Sequence, residues 1–142
     1  MSLATDTIFT RALSERIHEL PTVGDRIYNT AIPGTDEDVD NTPVPYIIVK
    51  MDGLENKPGT KGDAIEGDMD SVTVSVEITG NAPDELVDLG EWVRETIAAY
   101  IIDHYDEPAV PTDYTFSASP RAYDPLKPCY YQTLIYQCES QK

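Results

Sequence analysis

The chain has 142 residues, with 10 Lys and Arg against 26 Asp and Glu, a formal net charge of −16 at pH 7. A surface this acidic repels phosphates and anionic lipid, which argues against autonomous binding to DNA, RNA or a membrane surface. Hydrophobic residues make up 40% and there are nine Tyr, enough apolar material for a folded core rather than a disordered acidic chain.

The length fits a single domain over 1–142. The longest apolar runs, Tyr46–Val49 and Ile97–Ile102, fall short of the ~20 residues a membrane-spanning helix needs. No basic-plus-apolar leader opens the sequence, so the expectation is a soluble protein, intracellular at synthesis. In chain order, residues 5–20 read as a first helix. Phe9, Ala12, Leu13, Arg16, Ile17 and Leu20 follow three/four spacing, Thr5 or Asp6 can cap it, and Pro21 with Gly24 stops it. Arg26–Ile32 is a short strand closed by Pro33-Gly34. Asp36–Thr42 is an acidic loop, Tyr46–Met51 a short apolar strand, and Asp52-Gly53 a turn signal.

Residues 53–68 read as a second long polar loop. The segment 36–70 holds ten acids and three bases, 3 − 10 = −7 from a quarter of the chain. Ser71–Thr79 is the clearest strand. Val72, Val74, Val76 and Ile78 share one face; Ser71, Thr73, Ser75, Glu77 and Thr79 share the other, predicted to be wet. Asn81 as a cap, Pro83 in the first turn, and Asp84 with Glu85 at the positive end of the dipole start a second helix over 83–103. Its stripe is Leu86, Leu89, Val93, Ile97 and Ile101, extended by Trp92 and Tyr100. Thr112–Ala118 and Cys129–Cys138 read as closing strands around a Pro-rich turn region, Pro120 to Pro128. The order α-β-β-β-α-β-β predicts an α+β fold, an antiparallel-rich sheet with two helices packed on one face.

Chemistry is sparse. Asp36, Asp38 and Asp40 match the first positions of a calcium loop, but Asn41 stands where the sharp turn needs Gly and Ile47 where the bidentate Glu belongs. A solvated acidic loop is the simpler reading, and Asp68 with Asp70 have no third ligand at a telling spacing. His18 and His104 lie near helix C-termini, where imidazolium complements the dipole. His104 beside Asp106 and Glu107 is the best available general base. No GxSxG elbow, GxxxxGK[ST] loop, GxGxxG turn or HExxH helix occurs, so neither a cofactor nor a metal is expected. Cys129 and Cys138 lie an odd number of residues apart in one strand, which points them to opposite faces as ordinary thiols. The same strand carries Tyr130, Tyr131 and Tyr136 on both faces without a basic residue. That composition suits a core on one side and a protein partner on the other better than stacking on bases. Trp92, Tyr130, Tyr131 and Tyr136 are the candidate interface. Pro108–Pro111 and Pro125–Pro128 have PxxP spacing and read as strand boundaries.

Three stretches together resemble the tail-completion or tail-terminator proteins of long-tailed phages and prophages. They are the leading helix ending in Pro21 before Arg26-Ile27-Tyr28, the loop entering Pro45-Tyr46-Ile47-Ile48-Val49, and the alternating strand that passes through Gly80 into a helix with Glu85, Leu86 and Leu89. The resemblance covers roughly residues 5–102, and the acidic 53–68 loop departs from it. It implies a non-catalytic virion component, assembled in the host cytoplasm. It further implies a homo-oligomeric ring, often a hexamer, that caps the tail tube at its head-proximal end and meets tail-tube and head-completion proteins. In that setting loops 33–45 and 53–68 reach a neighbour or the lumen, with Asp36, Glu37, Asp38, Asp40, Asp63, Glu66 and Asp68 as the acids concerned. The alternatives are a small α+β ligand-binding domain or enzyme centred on His104, Asp106 and Glu107, and a non-phage adaptor or contractile-apparatus component.

Overall fold

Strict alternation of valine with small polar residues makes the segment around 71–79 a strand with two unlike faces. The structure, a computed structural model, describes residues 5–16, 19, 23–24, 26–54, 69–107, 110–111 and 113–141. In it this strand, β3, runs Met69–Gly80 and lies at the centre of a six-stranded sheet. On one side β3 pairs antiparallel with β2 (Tyr46–Leu54), which pairs parallel with the short edge strand β1 (Ile27–Asn29). On its other side β3 pairs antiparallel with β6 (Cys129–Gln141) along Tyr130–Gln141. The far edge of β6 is shared by two strands in line, β4 (Asp113–Ala118) and β5 (Ala122–Asp124). The chain is thus a mixed α+β domain, with four antiparallel pairings and one parallel.

The register gathers Ile47, Val49 and Met51 of β2 beside Val76, Val74 and their neighbours on β3, with Leu134, Tyr136 and Cys138 beyond. Two helices cover this face. α1 (Thr5–Glu15) contributes Ile8, Phe9, Ala12 and Leu13. α3 (Pro83–Asp103) contributes Leu86, Leu89, Val93 and Ile97. Phe9 sets its ring edge-on to Tyr136 at 5.2 Å between centroids, so the two aromatic side chains join helix and sheet. α3 begins and ends where the sequence predicts, but its cap differs. Ala82 is the N-cap and makes no side-chain cap bond. Glu85 reaches back instead, its Oε1 accepting from the Asn81 N–H at 2.6 Å. Asn81 turns its amide to the Val44 carbonyl.

Several boundaries move for local reasons. α1 stops at Glu15, five residues before the predicted end, and Thr5 is its first helical residue rather than its cap. Beyond it the chain tightens: Arg16 N–H bonds Leu13 O and Glu19 N–H bonds Arg16 O. Trp92 Nε1 donates to Glu19 Oε1 at 2.9 Å, fastening this turn to α3. The predicted turn at Asp52-Gly53 is a bulge inside β2, whose register shifts between Met51 and Gly53. Gly53 and Leu54 therefore belong to a strand, while the rest of the predicted loop, 55–68, lies outside the described residues. β1 ends at Asn29, because Thr30 takes φ 77 and turns the chain away. β5 occupies what the sequence presents as turn.

The second face of the sheet is not uniformly wet, as the alternation predicts. Ser75 and Thr79 are buried and Thr73 and Glu77 half-buried. Residues 30–45 fold back over the β1–β2 end of this face, where Ile32, Tyr46 and Ile48 form a second small core with Tyr28, Val39 and Val44. The predicted acidic loop carries a turn of helix there, α2 (Asp36–Asp40).

Candidate functional site

α2 shows how the acidic segment is used. Thr35 Oγ1 accepts from the Asp38 N–H at 3.2 Å, and Asp38 Oδ2 accepts from the Thr35 N–H at 2.9 Å, a reciprocal capping box. Three acids fill the first turn, where the dipole favours them. Lys127 meets the other end, donating from Nζ to Val39 O at 3.1 Å and lying 4.8 Å from the Tyr46 ring centroid. Asp36, Glu37, Asp38 and Asp40 are exposed. Asp63, Glu66 and Asp68 lie outside the described residues, as does His18. Among the described residues no group of three or more His, Cys, Asp or Glu side chains is placed to hold a metal ion.

His104 is the C-cap of α3. Its Nδ1 lies 3.0 Å from the Tyr100 carbonyl, and its ring stacks on Tyr100 at 3.9 Å and 13°. The ring thus packs on the last turn of the helix with Nδ1 at its carbonyl, and Asp106 and Glu107, its sequence-predicted neighbours, are exposed. Of the four candidate interface aromatics, two are core. Tyr136 is 1% exposed and ringed by Phe9, Tyr114 and Phe116. Burial holds its hydroxyl pKa well above the usual phenol range, with Tyr114 adding to the rise. Trp92 is buried and bonded to Glu19. Tyr130 is half-buried against Tyr123, and Tyr131 reaches solvent on the second face. Cys129 and Cys138 are both free and buried. Burial pushes the Cys138 thiol up to about 12, so it is a packing group and not a nucleophile.

Two surface depressions flank the sheet. One, of about 440 Å³, lies between α3 and β4 and includes Arg94, Tyr114 and Phe116; the Arg94 guanidinium sits 4.3 Å over the Phe116 ring and fills part of it. The other, of about 460 Å³, lies on the second face beside the β5–β6 turn. Its walls include Tyr46, Glu77, Thr79, Tyr123, Asp124 and Tyr131. Burial raises the Tyr46 hydroxyl and the Cys129 thiol above their ordinary values, and the carboxylates of Glu77 and Asp124 add to both shifts. Of the lining residues Tyr123 is 51% and Tyr131 38% exposed, and Leu126 in the adjoining turn is 94% exposed. Sequence reading finds Tyr131 but misses Glu77, Tyr123, Asp124 and Leu126. A signal exists for Glu77, the one charged residue in the alternating run 71–79. None exists for the others, because β5 is three residues long among prolines.

No protein-family model matches this chain, and no curated protein sequence matches it.

Proposed function

We propose that the chain is a non-catalytic structural protein of a phage or prophage tail, a terminator or completion protein that forms a ring at the head-proximal end of the tail tube. The observation that supports this most is the run from β2 to α3. Pro45-Tyr46 opens a central strand, β3 alternates through to Gly80, and the chain turns at once into a long helix held by Glu85. That is the order of the stretches on which the resemblance rests. The sheet also has two edges without a described neighbour, β1 and the β4–β5 line. A ring closes by repeating one heterologous contact, and two unlike edges of one protomer are suited to it. Of the groups the enzyme alternative names, His104 packs on the end of α3, and Asp106 and Glu107 stand exposed beyond it. The exposed acids of α2 would give such a ring a surface that repels passing DNA.

Sedimentation velocity across protein concentration, alone and with tail-tube protein, tests the reading. A closed ring of fixed stoichiometry is expected. A strict monomer at every concentration, with no ring when tube protein is present, overturns it.

A further inference from the structure

The depression beside the β5–β6 turn brings a half-buried carboxylate next to an exposed aromatic ring. Glu77 supplies a half-buried carboxylate that takes no hydrogen bond or ion pair among the described residues. Tyr131 supplies exposed aromatic surface on the same face as Glu77, whereas Tyr123, opposite Tyr130 in the register, sets its ring against Tyr130 on the helix side. Leu126, in the adjoining turn, is the most exposed large apolar side chain described. The nearby cation, Lys127, is already committed to Val39 O and the Tyr46 ring, and Asp124 stands on the same wall.

We propose that this groove binds an arginine side chain carried on an apolar-flanked segment of a partner protein. Glu77 is the carboxylate left for a cation: Asp124 Oδ1 accepts from the Leu126 N–H at 3.0 Å, and the two carboxylates together outweigh the one ammonium beside them, Lys127 over the Tyr46 ring. A guanidinium suits the site better than an ammonium, because it stacks flat on the Tyr131 ring while its N–H groups reach the Glu77 carboxylate. Pro125 on the wall, and Leu126 exposed next to it in the turn, offer apolar surface to residues flanking the arginine. The groove borders β5, part of one of the two edges the ring reading uses, so the peptide test is made at a concentration where the chain is monomeric, which separates the two readings.

The test is NMR titration of the full chain with the capped tripeptide Ac-Leu-Arg-Leu-NH2 and with its citrulline analogue. The arginine peptide is expected to give saturable shifts centred on Glu77, Tyr123 and Tyr131. Citrulline keeps the shape and loses the charge, and should bind about tenfold more weakly, the scale of one charge-assisted hydrogen bond. Glu77→Gln and Tyr131→Ala should each weaken the arginine peptide severalfold while leaving the rest of the amide spectrum in place. Asp106→Asn, beyond the end of α3, should change nothing. Three results overturn the proposal: no saturable binding at millimolar peptide, equal binding of the citrulline peptide, or shifts spread over α2 and α3 that are unaffected by either groove variant.

Discussion

The two faces of the central sheet are built from alternate residues of the same strands, yet they are finished differently. On the helix face, Val74, Val76, Ile78, Leu134 and Tyr136 are covered by α1 and α3 in one continuous core. On the opposite face, among the described residues, the segment 30–45 with its short helix α2 covers the β1–β2 end, and the remaining positions are mostly polar residues and tyrosines. The difference lies in what each cover brings. α1 and α3 present whole apolar stripes, whereas the 30–45 cover brings Ile32, Val39 and Val44, held by a capping box and by Lys127. Most of the described apolar core therefore lies on the helix face.

Substitutions that empty one face or the other separate these roles. Tyr136→Ala should have the largest effect, about 4 kcal/mol lost in urea unfolding, the range for truncating a fully buried aromatic. A loss below about 1 kcal/mol would mean that the helix face does not dominate. Ile48→Ala opens the small core and should cost about 2 kcal/mol. Hydrogen exchange should show the loosening first in residues 30–45, ahead of α1 and α3. Thr35→Ala removes the cap of α2 and should cost about 1 kcal/mol or less. Faster exchange confined to α2 and its neighbours is the expected pattern, and a global change would contradict the division. The smallest effect at neutral pH is that of the Cys138 thiol. Its folded value, about 12, lies above the ordinary thiol value of 9.0, so the folded state holds its proton longer than the unfolded one. Its contribution is complete below pH 9.0 and is lost as pH rises from there toward 12. Cys138→Ala should flatten that part of the alkaline stability curve without removing the fall due to Tyr136.

Where local chemistry and tertiary packing agree, the sequence is a good guide. α3 is legible to the residue because Pro83, the acids after it and a regular stripe all point one way. The parity of β6 is legible as well: Leu134, Tyr136 and Cys138 share a face with each other and not with Cys129. Reading Tyr136 as interface fails because a tyrosine suits both settings, and only Phe9 arriving from α1 decides between them. α2 is hidden for a different reason. Its box uses Asp38 where the common signal is Glu or Gln, and five residues are too few for a periodic pattern. β5 is hidden by prolines on both sides. The parallel β1–β2 pairing is a long-range choice that no local pattern in either strand announces.

β6 has a consequence for how the chain comes to exist. It pairs with β3, β4 and β5, and every one of those partners precedes it. Until residues 129–141 have been made, β3 has an open edge carrying a valine-rich flank, and β4 and β5 have nothing to lie against. Such an edge is a template for unwanted pairing, and distant strand pairings are slow to form. The growing chain thus passes through a sticky interval that ends when one final strand slots in. A ribosome-bound series of increasing length should show protease resistance appearing in a single step once β6 is free, rather than building up gradually.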